Sequence, residues 1–154
     1  PCREDLPTVE DVQTQRQQLL TREEEARRAG DQAAAADARA LIERADRMLS
    51  RLSVLDGRRE FAYRIRLLKV GSAFWLAVPG EPYQDLQVQL RRRFPGVAIV
   101  VMGLASGWGP SYLPPRDVYG RGIYQETIAL LAPGCLERLI EAAGDAIETM
   151  LAPR

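Results

Sequence analysis

The chain contains no histidine at all. That single absence removes a Ser-His-Asp triad, a Cys-His pair and every two-histidine zinc motif from what these residues can build among themselves. Acid–base or metal chemistry done here must use carboxylates, phenols or groups supplied from elsewhere. Cysteine is nearly as scarce. Cys2 and Cys135 are too few for a disulfide framework or a cysteine metal cage. Cys135 reads as a small packing residue at the start of a helix, and Cys2 as part of a loose end. Net charge is also lacking, with 21 basic and 21 acidic residues, so no global field recruits nucleic acid or an anionic membrane. The arginines at 91–93 read as the solvated end of a helix. No apolar run is long enough for a membrane span. P-loop, dinucleotide-binding glycine fingerprint and cysteine zinc knuckle are all missing.

What is present suits a folded domain. The 154 residues, 46% hydrophobic and 27% charged, can bury a sizeable core. The first residue is Pro1, and no secretory signal pattern follows. The chain is therefore expected to be a trimmed product or a fragment.

Residues 1–57 read as a helical hairpin. Thr8 is a plausible N-cap with Asp11 three positions on, and Val12, Leu19 and Ala26 share a face. Gly30 stops the first helix and Asp31 caps the second. Leu41, Ala45, Met48, Leu52 and Leu55 recur at four-three spacing and form an apolar stripe. At Asp56-Gly57 the period changes. Residues 58–154 read as a mixed α/β segment. Alternation from Phe61 to Leu67 predicts a strand with one wet face, paired as a hairpin with the buried run "SAFWLAVPG". Tyr83 to about Arg93 reads as a helix with Leu86 and Leu90 inward. "VAIVVMGLA", 97–105, is the strongest strand signal and is expected to be central. Pro133-Gly134 opens a last helix to about Leu151.

Two places carry candidate chemistry. Glu81 follows a buried strand and a Pro-Gly turn at the mouth of a helix. It is a candidate metal ligand, general base or helix cap. The segment "GPSYLPPRDVYGRGIYQET", 109–127, holds three tyrosines, three prolines and three glycines. Its stiff path can fix Tyr112 and Tyr124. Phenols there can serve an oxyanion or a hard Lewis acid, or simply pack as rim residues.

Taken together, "LAVPGEPYQDL" (76–86), "GLASGWGPSYLPPRDVY" (103–119) and "GIYQET" (122–127) resemble the neutral/alkaline, non-lysosomal ceramidase family, at the end of its catalytic domain. The resemblance covers about residues 70–150. It implies a zinc-dependent amidohydrolase cleaving an N-acyl sphingolipid or a similar amide. Glu81 and Tyr112 would be zinc ligands and Tyr124 the oxyanion donor. The two histidine ligands of that family would have to come from the upstream part of the same polypeptide. Ser106, Trp108 and Gln125 stand where the family carries asparagine, another aromatic residue and glutamate. The alternative reading is a non-catalytic interaction module that works through the helical hairpin.

Overall fold

The structure is a computed structural model and describes residues 1–105, 107 and 109–152. The chain divides into two compact units, Asp5–Gly57 and Pro1–Glu4 with Arg58–Arg154. Among the described residues no helix is long and apolar enough to cross a membrane.

The first unit is a helical hairpin of α1 (Val9–Arg28) and α2 (Gln32–Ser53). Thr8 and Asp11 form a complete capping box, each satisfying the other's backbone N–H. Asp31 accepts from Ala34 N at 2.9 Å and caps α2. The buried seam of α2 runs through Ala35, Ala38, Ile42, Ala45 and Leu52. Ala45, Leu52 and Leu55 of the expected stripe are buried, whereas Leu41 is 41% exposed and Ile42 takes the inner position beside it.

The second unit is a mixed α/β fold. β1 (Arg66–Val70) pairs antiparallel with β2 (Ala73–Ala77), and β2 pairs parallel with β4 (Ile99–Met102). The order β1-β2-β4 makes β2 the central strand and places β4 at an edge, contrary to the expectation from its apolar sequence. The ladder also starts later than alternation predicts. Arg66 faces Ala77, so residues 61–65 would have to pair beyond Ala77, where the chain turns at Pro79-Gly80. Tyr63 is used differently, donating its hydroxyl to Pro79 O.

One sheet face is covered. Phe74, Leu76 and Ile99 are buried with Leu86 and Leu90 of α3 (Asp85–Arg93) and with Leu136, Ala143 and Ile147 of α5 (Cys135–Leu151). The arginine run at the end of α3 is only partly solvated. Arg93 bonds Asp145 at 2.8 Å and Glu148 at 3.1 Å on α5, and Arg91 donates to Ile99 O at 3.2 Å. The other face is bare. Leu68, Trp75 and Val100 align in one row across the three strands and are 61%, 41% and 37% exposed.

The N-terminal residues are pinned rather than loose. Cys2 is buried and bridges Leu131. Cys2 N donates to Arg59 O at 2.8 Å and Arg3 N to Leu130 O at 3.0 Å. Residues 1–4 therefore join the α/β unit and not the hairpin segment assigned from sequence. Cys135 opens α5 with its thiol 3.6 Å from Pro1 O.

Candidate functional site

The site grows from the end of the central strand. After β2 the chain turns through Val78, Pro79 and Gly80, all buried, and enters β3 (Glu81–Pro82). β3 pairs in parallel with β5 (Tyr112–Leu113), with Glu81 opposite Tyr112 and Pro82 opposite Leu113. Glu81 N donates to Ser111 O at 2.9 Å and Tyr83 N to Leu113 O at 3.1 Å. Pro82 falls between these two donors, so its missing N–H removes no bond from the short ladder.

Leu104, Ala105, Gly107 and Gly109 are held against that turn. Leu104 N donates to Gly80 O at 2.8 Å, Ala105 N to Val78 O at 3.2 Å and Gly80 N to Gly107 O at 3.2 Å. At Gly109 the backbone has φ +53°, and a Cβ would come within 2.7 Å of Gly80 N and Pro79 Cβ. Only glycine fits both the conformation and the approach. Leu104 and Ser111 also have positive φ, 56° and 66°. Such backbone strain persists only where the surroundings over-determine it. Pro110 and Pro114, both fully buried, clamp the path on either side of Tyr112. Ser106 and Trp108 lie outside the described residues.

Tyr124 arrives by a different route. It begins α4 (Tyr124–Ile128), a short helix that composition did not predict. Glu126 closes the loop before it, accepting from Gly120 N and Gly122 N at 2.7 Å each. Those bonds hold the Glu126 carboxyl below the usual carboxylate range, the Gly120 bond first. Arg3 Nη1 donates to Glu126 O at 2.5 Å. The result sets the Tyr124 ring edge-on to Tyr112, with centroids 6.3 Å apart and planes at 71°. The Tyr124 side of the pair is open to solvent, at 62% exposure.

The structure therefore brings Glu81, Tyr112 and Tyr124 together. Tyr83 lies at the end of the β3–β5 ladder, where its N–H bonds Leu113 O. Burial raises the Tyr112 phenol first. The Glu81 carboxylate raises it further, and Tyr124 and Tyr83 follow as smaller causes in the same direction. Glu81 is not a helix cap. α3 starts at Asp85, its N-cap position is Gln84, and no side chain caps it. Sequence reasoning missed Tyr83 and Glu126. The signal for Tyr83 was its two-residue offset from Glu81, which puts both on one side of an extended chain. The signal for Glu126 was a carboxylate just beyond a Gly-Arg-Gly turn, where free amides collect.

Tyr119 has a structural role. Its hydroxyl donates to Leu131 O at 2.8 Å, its ring lies under Arg3, and burial pushes its phenol up.

Among the described residues no three His, Cys, Asp or Glu side chains are grouped to hold a metal ion. Glu81 and Tyr112 offer two oxygen donors, half of a tetrahedral zinc shell. These residues do not fit zinc unaided. The sequence matches no protein-family model, no curated protein and no solved structure.

Proposed function

We propose that this chain is the C-terminal portion of a ceramidase-like amidohydrolase acting on an N-acyl lipid or a similar amide. The observation that carries the reading is the cross-strand pairing of Glu81 with Tyr112, with Tyr124 against the same ring. The resemblance assigns these three residues to one centre, and they come from three separate segments. Zinc in that centre would require two imidazoles from the upstream part of the same polypeptide, and would supply an activated water and a polarised acyl oxygen.

The chain's own residues have definable parts. Burial and, after it, the Glu81 carboxylate raise the Tyr112 phenol. A phenolate at Tyr112 needs a cation to offset Glu81, Tyr83 and Tyr124. Tyr124, exposed at the start of α4, would donate its hydroxyl to a developing oxyanion. The bare row of Leu68, Trp75 and Val100 supports the same reading, because an exposed apolar sheet face is what a further layer of a larger domain would cover.

The test joins metal analysis with amide hydrolysis in the full-length protein and in its Glu81→Ala variant. Loss of zinc and of N-acyl cleavage in the variant is expected, and unchanged values of both would end the assignment. The 154 residues alone are expected to bind zinc weakly, so tight stoichiometric uptake in calorimetry would contradict the reading.

One observation favours a second reading, a protein-interaction module. Pro7, Val12, Leu41, Ala45 and Met48 line a groove on the hairpin. Introducing Asp at Leu41 and Met48 would then abolish partner capture, whereas the hydrolase reading leaves amide cleavage intact in that variant.

A further inference from the structure

We propose that Cys2 and Cys135 form a thiol redox site that reduces a small hydroperoxide and closes a disulfide between them. The inference rests on where the fold sets these two side chains and does not depend on the hydrolase reading.

The chain's two cysteines are both free. They stand near opposite ends of the sequence, and the fold brings them to one peptide group. The Cys135 thiol lies 3.6 Å from Pro1 O, and that carbonyl belongs to the peptide bond leading into Cys2. By standard backbone dimensions the Cys135 sulfur is therefore within about 6.5 Å of the Cys2 Cα. Cys2 is fixed there from both sides. Its N–H donates to Arg59 O at 2.8 Å, while Ala132 N donates to Pro1 O at 3.1 Å and Arg3 N to Leu130 O at 3.0 Å. The last two bonds flank Cys2 and Leu131 and make them a non-hydrogen-bonded antiparallel pair. In such a pair the facing side chains leave the same side of the ladder and stand closest. Leu131 in turn lines the same cavity as Cys135. The Cys2 thiol rests 3.8 Å from Arg58 O, a contact weak enough for a change of rotamer to turn it toward Cys135.

Access separates the two roles. Cys135 is half-buried and lines an open cavity of about 190 Å³ with Phe61, Tyr63, Arg138 and Leu139, where a small peroxide reaches its sulfur. Cys2 is buried, and burial pushes its thiol up, so it stays protonated and shielded. Cys135 is the attacking group and Cys2 the resolving one.

The chemistry balances with hydrogen peroxide as the oxidant. The Cys135 sulfur attacks one peroxide oxygen and the O–O bond breaks. The thiol proton leaves with the departing hydroxide as water, and Cys135 becomes a sulfenic acid. The Cys2 sulfur then attacks the Cys135 sulfur. The S–S bond forms, the S–O bond breaks, and hydroxide leaves with the Cys2 proton as a second water. Two thiols give up two electrons and the peroxide is reduced to water. The product ties the segment at 1–4 to the start of α5.

The experiment treats the reduced protein with hydrogen peroxide and follows free thiols, intact mass and the peptide map. Both thiols should disappear together, with a mass lower by two hydrogens and a crosslink between the Cys2 and Cys135 peptides that a dithiol reverses. The oxidised protein should melt several degrees higher, because the bond closes a long loop in the unfolded chain. Cys135→Ser, at a half-exposed position, should slow loss of the Cys2 thiol by about tenfold or more, since burial shields it. Cys2→Ser should leave Cys135 as a sulfenic acid that dimedone traps. Cys135 driven to sulfinic acid while Cys2 remains a thiol would overturn the proposal. So would disulfides formed only between molecules, or a Cys2 thiol lost at an unchanged rate in Cys135→Ser. No amide substrate and no zinc enter the measurement, so its failure leaves the hydrolase reading standing, and failure of that reading leaves this one.

Discussion

Two regions of the α/β unit spend tyrosines differently. Around the pinned N-terminal residues, Tyr119 turns inward and gives its hydroxyl to Leu131 O. Tyr63 does the same toward Pro79 O. Each of these phenols satisfies one backbone carbonyl, and burial raises both. Around Glu81, Tyr112 and Tyr124 instead meet each other and a carboxylate. The first arrangement completes backbone hydrogen bonding at part-buried carbonyls. The second gathers electronegative groups on a half-open surface where they contribute little to folding. The difference teaches that a tyrosine's partner, more than its burial, separates scaffold from site.

Substitutions can break this comparison or sharpen it. The largest effect is expected at Gly109, which underpins the site without touching a ligand. Gly109→Ala combines a positive φ with a Cβ 2.7 Å from Gly80 N. It should cost about 3 kcal/mol in urea unfolding and displace the Tyr112 resonances. A loss under about 1 kcal/mol would show that the loop is not held against the Pro79-Gly80 turn.

The next effect separates the two tyrosine classes directly. Tyr119→Phe leaves Leu131 O without its partner and should destabilise the fold by about 1–2 kcal/mol. Tyr124→Phe should stay within about 0.5 kcal/mol of the parent. Equal losses in paired denaturation curves would erase the distinction between scaffold and site.

A pH effect of the Glu126 loop should follow. Its folded carboxyl is held below the ordinary range by the Gly120 and Gly122 amides. The stabilisation is therefore present above the ordinary carboxylate range and is lost as pH falls through the depressed folded value. Glu126→Gln should flatten that part of the acid-unfolding profile, and an unchanged profile would count against the loop closure.

The smallest effect is spectroscopic. Tyr112 should titrate above the ordinary tyrosine range in an ultraviolet or NMR titration. A raised phenol favours the protonated fold, so this contribution is complete below the ordinary tyrosine range and is lost as pH rises through the folded value. Glu81→Gln should return only part of the shift, because burial is its first cause. A full return would make the carboxylate the dominant cause.

Much of the fold was legible locally. Thr8 with Asp11, Gly30 followed by Asp31, and Gly134 before α5 mark their boundaries through hydrogen bonds made within a few residues. Leu86 and Leu90 declared the inner face of α3 by their spacing, and both are fully buried. Strand rank was not legible. The apolar run at 97–105 reads as central, yet β2 holds that place, because apolarity reports burial and not the number of paired edges. Tyr83 and Glu126 escaped notice because their roles depend on a second segment arriving beside them.

The sequence by itself determined the longer helices, the caps of α1 and α2, the turns and the supply of phenols and carboxylates without imidazole, since each depends on neighbours a few bonds apart. Only the tertiary structure decided that Glu81 faces Tyr112, that Tyr124 meets the same ring, and that Cys2 is anchored at Leu131. Those contacts join distant parts of the chain, and their geometry is set by strand register and by the close approach at Gly109, quantities no local spacing encodes.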